Sequence, residues 1–213
     1  GVPRAQLGCA SNGVSLFALL IPFILLWSSG GNAAAVRLKA AGVPIDFIRW
    51  HVDENRSIDI PELPSALVRG LKEGGDHIAV PLRHERIEVK RNADVETTRV
   101  ISRLLLTQEG MHKSSNIRVV VDAHREVMEV LAAYTLSASK RRFNVSADSV
   151  QVRTVNDGNI FTNAFELTVP FSNAKPGSTL VLETRVRTSA KRSALPWSTI
   201  YFPRQPFYVD HFG

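Results

Sequence analysis

Two stretches decide the fold of this chain: TNAFELTVPF at residues 162–171 and TLVLETRVRT at residues 179–188. In both, apolar residues alternate with polar ones, as in a β-strand with one buried face. Between them, residues 175–178 (KPGS) place Pro second and Gly third, which suits a type II turn. Pro170 lacks a backbone donor, so the first strand ends or runs along a sheet edge there. We therefore predict two strands linked through a tight turn.

The same period-two pattern extends upstream. Residues 83–91 (RHERIEVKR) place Ile87 and Val89 on one face and predict a half-buried strand, and residues 95–107 predict the returning strand. Residues 117–121 form a further β-branched run. Several short strands with turns between them, and no alternation of strands with helices, predict an all-β fold, an antiparallel β-sandwich.

One segment is ambiguous from its pattern. The helical spacing of three and four residues is met by Val127, Met128, Val130, Leu131 and Tyr134. The alternation expected of a strand is met by Met128, Val130, Ala132 and Tyr134. Periodicity alone leaves helix and strand open for this segment.

Composition places the chain among ordinary globular proteins. Of its 213 residues, 44% are hydrophobic and 22% are charged, which excludes collagen-like, low-complexity and multi-span membrane proteins. Cys9 is the only cysteine, so neither an intrachain disulfide nor a zinc site built mainly from Cys can form. The six His lack the spacing of a metal pair, and Asp76-His77 and Asp122-x-His124 lack a nucleophile. We expect no cofactor, no metal and no catalytic residue.

The N-terminal residues 1–35 have the composition of a signal peptide. Arg4 precedes the apolar run at residues 14–27, and the small residues at 28–35 end in an Ala-x-Ala site before Val36. As a helix, the apolar run would reach roughly 21 Å, short of the roughly 30 Å hydrocarbon core. We predict export to the periplasm or cell envelope of a bacterium, with membrane contact only if the segment stays uncleaved. The alternatives are an uncleaved anchor and a buried core helix.

The remaining chain divides at a change of pattern. Residues 36–75 are interpreted as an extended lead-in with a short helix at 63–71, and residues 76–213 as the β-sandwich domain. Without residues 1–35, 25 Lys and Arg remain against 20 Asp and Glu. These charges are dispersed and lack an aromatic stacking motif, so no nucleic-acid partner is expected. The C-terminal aromatics form a candidate interface, or else the last strand: Trp197, Phe202, Phe207 and Tyr208.

In their order, several of these segments resemble a known family, the domain of unknown function 3857. They are the charged strand 83–91, the Leu-Thr-x-Glu-Gly step at 106–110, the segment 126–134, the strand 165–171 and the turn at 174–178. The resemblance covers about residues 76 to 205. This family is the N-terminal domain of exported bacterial transglutaminase-like proteins. It implies an antiparallel β-sandwich in which 126–134 is a strand.

In such proteins the sandwich precedes a papain-like core that carries Cys, His and Asp. Cys9 would leave with the signal peptide, so the resemblance implies a non-catalytic accessory sandwich that packs on a catalytic domain missing from this chain. Its partner would be that downstream transglutaminase-like domain or another envelope protein, and the full-length parent a transglutaminase-like enzyme or protease. The alternatives are a free-standing periplasmic or cell-surface module that binds glycan or protein, and a hydrolase with an unrecognised site.

Overall fold

The computed structural model describes residues 36–40, 43–155 and 163–192. The predicted signal peptide and the candidate interface residues Trp197, Phe202, Phe207 and Tyr208 lie outside these ranges. Within them the chain forms eleven β-strands and two α-helices. In chain order these are β1 (Val36–Ala40), β2 (Val43–Trp50), α1 (Ser65–Glu73), β3 (Ile78–Ala79), β4 (Arg83–Val89), β5 (Val95–Leu105), α2 (Gln108–Ser114), β6 (Asn116–Asp122), β7 (Glu126–Leu136), β8 (Arg142–Asn144), β9 (Gln151–Thr154), β10 (Ala164–Pro170) and β11 (Thr179–Thr188).

The strands form two sheets in a sandwich-like arrangement, so the predicted all-β sandwich is confirmed. One sheet has the order β4-β5-β11-β7, and the other has the order β6-β10-β9. The β1–β2 hairpin connects them, because β2 pairs with β7 and β1 pairs with β9. These two pairings are parallel, whereas the other pairings between the described strands are antiparallel.

The core lies between the two sheets. Leu167 and Val169 of β10 are fully buried, as are Leu180 of β11 and Met128 of β7, and all four belong to one cluster. Thr168, between the two β10 residues, is half-buried. The alternation predicted for this strand is therefore confirmed, and β10 ends at Pro170 as its missing donor requires.

The turn before β11 also matches its prediction. The Ser178 amide donates to the Lys175 carbonyl at 2.9 Å, which closes a four-residue turn. Gly177 has a φ of +86°, the left-handed conformation that the third position of a type II turn needs.

The ambiguous segment is a strand, β7, as the family resemblance implied. Its pairing with β11 slips by one residue: Glu183 lies opposite Ala132 and Thr184 opposite Val130, so Leu131 has no partner. Because of this β-bulge, residues after Leu131 point to the face opposite to the one that the alternation before Leu131 would predict. Met128 and Val130 consequently belong to the main core, whereas Ala132 and Tyr134 contribute to a second cluster.

The predicted lead-in contains more regular structure than the sequence indicated. Strands β1 and β2 are part of the sheet assembly, and the short helix forms as α1, two residues later than predicted. Between β2 and α1, Ile58 and Ile60 pack against the second cluster. This connecting segment, residues 51–64, covers the face of β7 and β11 that points away from the main core.

The prediction for β4 is wrong in one respect. Ile87 is 38% exposed and Val89 is 65% exposed, although both were expected on a buried face. In the described part of the chain β4 pairs with β5 alone, so it is an edge strand, and it contributes no residue to the buried core. Its regular alternation therefore does not correspond to burial.

Candidate functional site

An open cleft separates β4 and β5 of the first sheet from β6 of the second. Its cavity measures about 490 Å³. The lining combines apolar strand residues with a concentration of positive charge. It includes the arginines Arg83, Arg99, Arg103 and Arg118, the acidic Glu85, and the apolar Val100, Ile101, Val119 and Val120.

Two of these arginines lie on the same face of β5 because side chains alternate along a strand. Arg99, Ile101 and Arg103 alternate along β5 and so lie on one face of it. Ile101 packs against the main core, so this is the inner face of the sheet. At this edge of the sandwich the inner face of β5 carries guanidinium groups. In the centre of the sandwich the inner faces of the sheets carry apolar side chains.

Two of the cleft arginines, Arg99 and Arg118, have acidic partners. The Arg99 Nε lies 2.9 Å from a Glu85 carboxylate oxygen. On β6, Arg118 lies 3.9 Å from Glu166, which is also contacted by Arg153 at 2.8 Å. Such exposed pairs contribute little stability.

Arg103 differs from these arginines. Its Nη1 donates to the Asn116 carbonyl at 3.4 Å, a long hydrogen bond, and no carboxylate of the described residues lies within 4.0 Å of it. Partial burial lowers the pKa of Arg103, since removal of water disfavours the charged form. A planar guanidinium whose donors meet no carboxylate of the described residues is suited to a bidentate carboxylate.

A second cluster surrounds His77. Its Nδ1 lies 3.0 Å from the Thr107 hydroxyl, and its Nε2 lies 3.1 Å from a Glu109 carboxylate oxygen. A hydroxyl, an imidazole and a carboxylate in this order invite comparison with a nucleophilic triad. The sequence indicated only Asp76 as a partner for His77 and gave no signal of this cluster.

The bonding of Thr107 points to a structural role. Its side-chain oxygen caps α2 by accepting the Gly110 amide at 3.1 Å. The Leu106 amide donates to the His77 carbonyl at 2.9 Å, and a Cβ on Gly110 would lie 2.0 Å from the same carbonyl oxygen. Residues 106–110, the Leu-Thr-x-Glu-Gly step, therefore fix the start of α2 against His77.

The second Asp–His pair considered from the sequence, Asp122 and His124, lies in a turn. Asp122 accepts the backbone amide of His124 at 3.0 Å and the Nε of Arg125 at 2.8 Å. Within the described ranges no three His, Cys, Asp or Glu residues are placed to hold a metal ion. No helix in that part of the chain is long and apolar enough to cross a membrane.

Comparison with known proteins yields one likeness of fold. No protein-family model matches the chain, and no curated protein matches it. It is similar to the crystal structure of a putative protease from Parabacteroides distasonis, with a TM-score of 0.50 and 12% sequence identity. The alignment covers 53% of this chain and 23% of that protein, so the shared part is less than a quarter of the longer chain. At this identity the likeness concerns the fold alone.

Proposed function

We propose that this chain is the non-catalytic accessory β-sandwich of an exported transglutaminase-like protein and that it positions a catalytic domain. One observation carries the proposal: the shared fold occupies 23% of a longer protein named as a putative protease. In that protein the shared fold is a minor part of the chain, and the rest of the chain is long enough to contain other domains. The resemblance of residues 76–205 to domain of unknown function 3857 supports the same arrangement.

The chemistry of the described residues is consistent with this role. The hydroxyl, imidazole and carboxylate around His77 are engaged in capping and docking α2. The buried carboxylate of Glu183 is paired with Arg56. Both arrangements stabilise the fold.

Export is supported by the sequence of residues 1–35. Val36, which follows the Ala-x-Ala site, is the first residue of β1. Cleavage before Val36 would therefore leave every described strand and helix in the mature protein. Mass spectrometry of the protein from the periplasmic fraction should find Val36 as its N-terminus, and a chain that keeps residues 1–35 in the cytoplasm would contradict export.

The accessory role is tested in two steps. The reading frame after Gly213 should encode a domain with Cys, His and Asp. The mature chain should then bind that domain, expressed separately, and should show no amide hydrolysis or acyl transfer of its own. Binding should weaken in Trp197→Ala, which removes a candidate interface residue, and should not change in Thr168→Ala. Turnover by the isolated chain, or no binding between the two parts, would overturn the proposal.

A further inference from the structure

We propose that the cleft between β5 and β6 binds an extended acidic segment of a partner polypeptide, which adds as a strand along the edge of β6. The proposal goes beyond the accessory role, because it assigns a binding site and the chemistry of its ligand without reference to a catalytic domain.

The edge of β6 is suited to strand addition. In the described part of the chain β6 pairs with β10 alone, through seven consecutive residue pairs without a bulge. Natural edge strands are usually protected by Pro, by a bulge or by several charges. Residues 117–121 (IRVVV) contain neither Pro nor a charge other than Arg118. This edge can therefore accept the backbone of another strand.

The charges of the cleft select an acidic occupant. Its lining contains four arginines and one glutamate. Arg103 reaches from the inner face of β5 to the carbonyl of Asn116 at the start of β6, so its guanidinium lies where an added strand would pass. A carboxylate there would satisfy donors that no acidic residue of the described chain satisfies, and would offset the desolvation of the charge.

The apolar residues of the cleft favour a peptide over a free anion. Val120 is 55% exposed and alternates with Val119, which packs against the core. A strand beside β6 would present successive side chains to opposite faces. Acidic residues would then face Arg99 and Arg103, and apolar residues would lie beside Val120. Among the described residues that line the cleft there is no Phe, Tyr or Trp, so these residues offer a single-stranded nucleic acid no Phe, Tyr or Trp stacking platform.

The test uses a labelled eight-residue peptide that alternates Glu and Val, with a Lys-Val peptide of equal length as its control. The Glu-Val peptide should bind, and the Lys-Val peptide should not. Arg103→Gln should weaken binding by about tenfold, because a carboxylate loses its bidentate partner. Arg86→Gln removes a charge from β4 outside the cleft and should leave the dissociation constant within about twofold. If Arg103→Gln does not fold, Arg99→Gln, on the same face of β5, provides the second test.

Strand addition also predicts a change in the hydrogen exchange of β6, which is independent of the binding measurement. Hydrogen exchange of the β6 amides should slow when the Glu-Val peptide is bound, while exchange in β7 should not change. Equal binding of both peptides, binding unaffected by the arginine substitutions, or unchanged β6 exchange would overturn the proposal. Preference for an oligonucleotide, for inorganic phosphate, or for a peptide of residues 193–213 would also overturn it.

Discussion

Arg56 and Glu183, which are 127 residues apart in the sequence, form a two-point ion pair on the outer face of β11. The Arg56 Nη2 donates to the Glu183 Oε1 at 2.6 Å, and its Nε donates to the Oε2. Glu183 is only 3% exposed. Arg142 extends the contact, because it donates to the Arg56 carbonyl at 2.6 Å and lies 3.9 Å above the ring of Tyr134. Together these bonds hold residues 51–64 against the sheet.

Removal of Arg56 should therefore destabilise the fold. Arg56→Ala leaves the buried Glu183 carboxylate without its cation, and loss of one partner of a buried pair costs about 3–5 kcal/mol. We expect about 3 kcal/mol, the low end, because the Arg56 side chain is 43% exposed and water can reach the site. Urea denaturation, with the midpoint and slope both recorded, measures the change.

The matched control for this prediction is Arg86→Ala, which breaks a surface pair with Glu88. It should change stability by less than about 1 kcal/mol. The double variant Arg56→Met with Glu183→Leu should recover most of the loss, since no charge is left buried. If Arg56→Ala costs no more than Arg86→Ala, the pair does not anchor residues 51–64.

The register of β10 gives a second prediction. Leu167 is fully buried, so Leu167→Ala should cost about 2–5 kcal/mol through lost burial and the cavity left behind. Thr168 points to the opposite face, and Thr168→Ala should stay within about 1 kcal/mol. Both are measured by the shift in urea midpoint at constant slope. Equal shifts would mean that the two faces of β10 are exchanged.

Strands with one polar face could be predicted from the sequence, because burial on a single face leaves a period of two. This is the case for β10. β11 is buried on both faces in its first half, but its outer face carries Glu183, Arg185 and Arg187, so its sequence keeps the period of two. β7 kept no such signal: one of its faces packs in the main core, the other packs under Ile58 and Ile60, and the bulge at Leu131 shifts the phase. Its pattern suited a helix as well as a strand, and only the family resemblance favoured the strand.

The two strands of the predicted lead-in, β1 and β2, were not predicted from the sequence for a related reason. In β2 the buried residues are Ile45, Ile48 and Trp50, a spacing of three and then two that matches neither simple period. The two pairings that join this hairpin to β9 and β7 are parallel and involve strands distant in the sequence, so no local turn signal indicates them. The cleft was missed likewise, since the approach of β6 to Arg103 is a tertiary contact.

A third prediction concerns the ionisation of Glu109. The hydrogen bond from Lys113, together with the charges of His77 and Lys113, holds the pKa of this carboxyl below its usual value of 4.5. A carboxyl with a lowered pKa stabilises the fold above that usual value, and the contribution is lost as the pH falls through the folded-state pKa. NMR titration should find the Glu109 pKa lowered in the wild type and raised toward its usual value in Lys113→Gln. Lys72→Gln, at the end of α1, should leave it unchanged, and an equal pKa in Lys113→Gln and wild type would contradict the pairing.

The last prediction tests how α2 is docked. Gly110 lies so close to His77 that an added Cβ would be 2.0 Å from the His77 carbonyl oxygen and 3.2 Å from the Ile78 Cγ2. The carbonyl cannot move away freely, because it also accepts the Leu106 amide. Backbone must therefore shift, and Gly110→Ala should destabilise the protein by about 3 kcal/mol or more.

Gly70→Ala is the control for this substitution, since it makes the same chemical change in α1 with no atom within 4 Å of the new Cβ. Alanine is favoured over glycine inside a helix, so Gly70→Ala should stabilise the protein by about 0.5–1 kcal/mol. The two variants should thus move the urea midpoint in opposite directions. If Gly110→Ala is tolerated as well as Gly70→Ala, residues 106–110 do not fix α2 against His77, and the Thr107–His77–Glu109 cluster would be free to rearrange around a ligand.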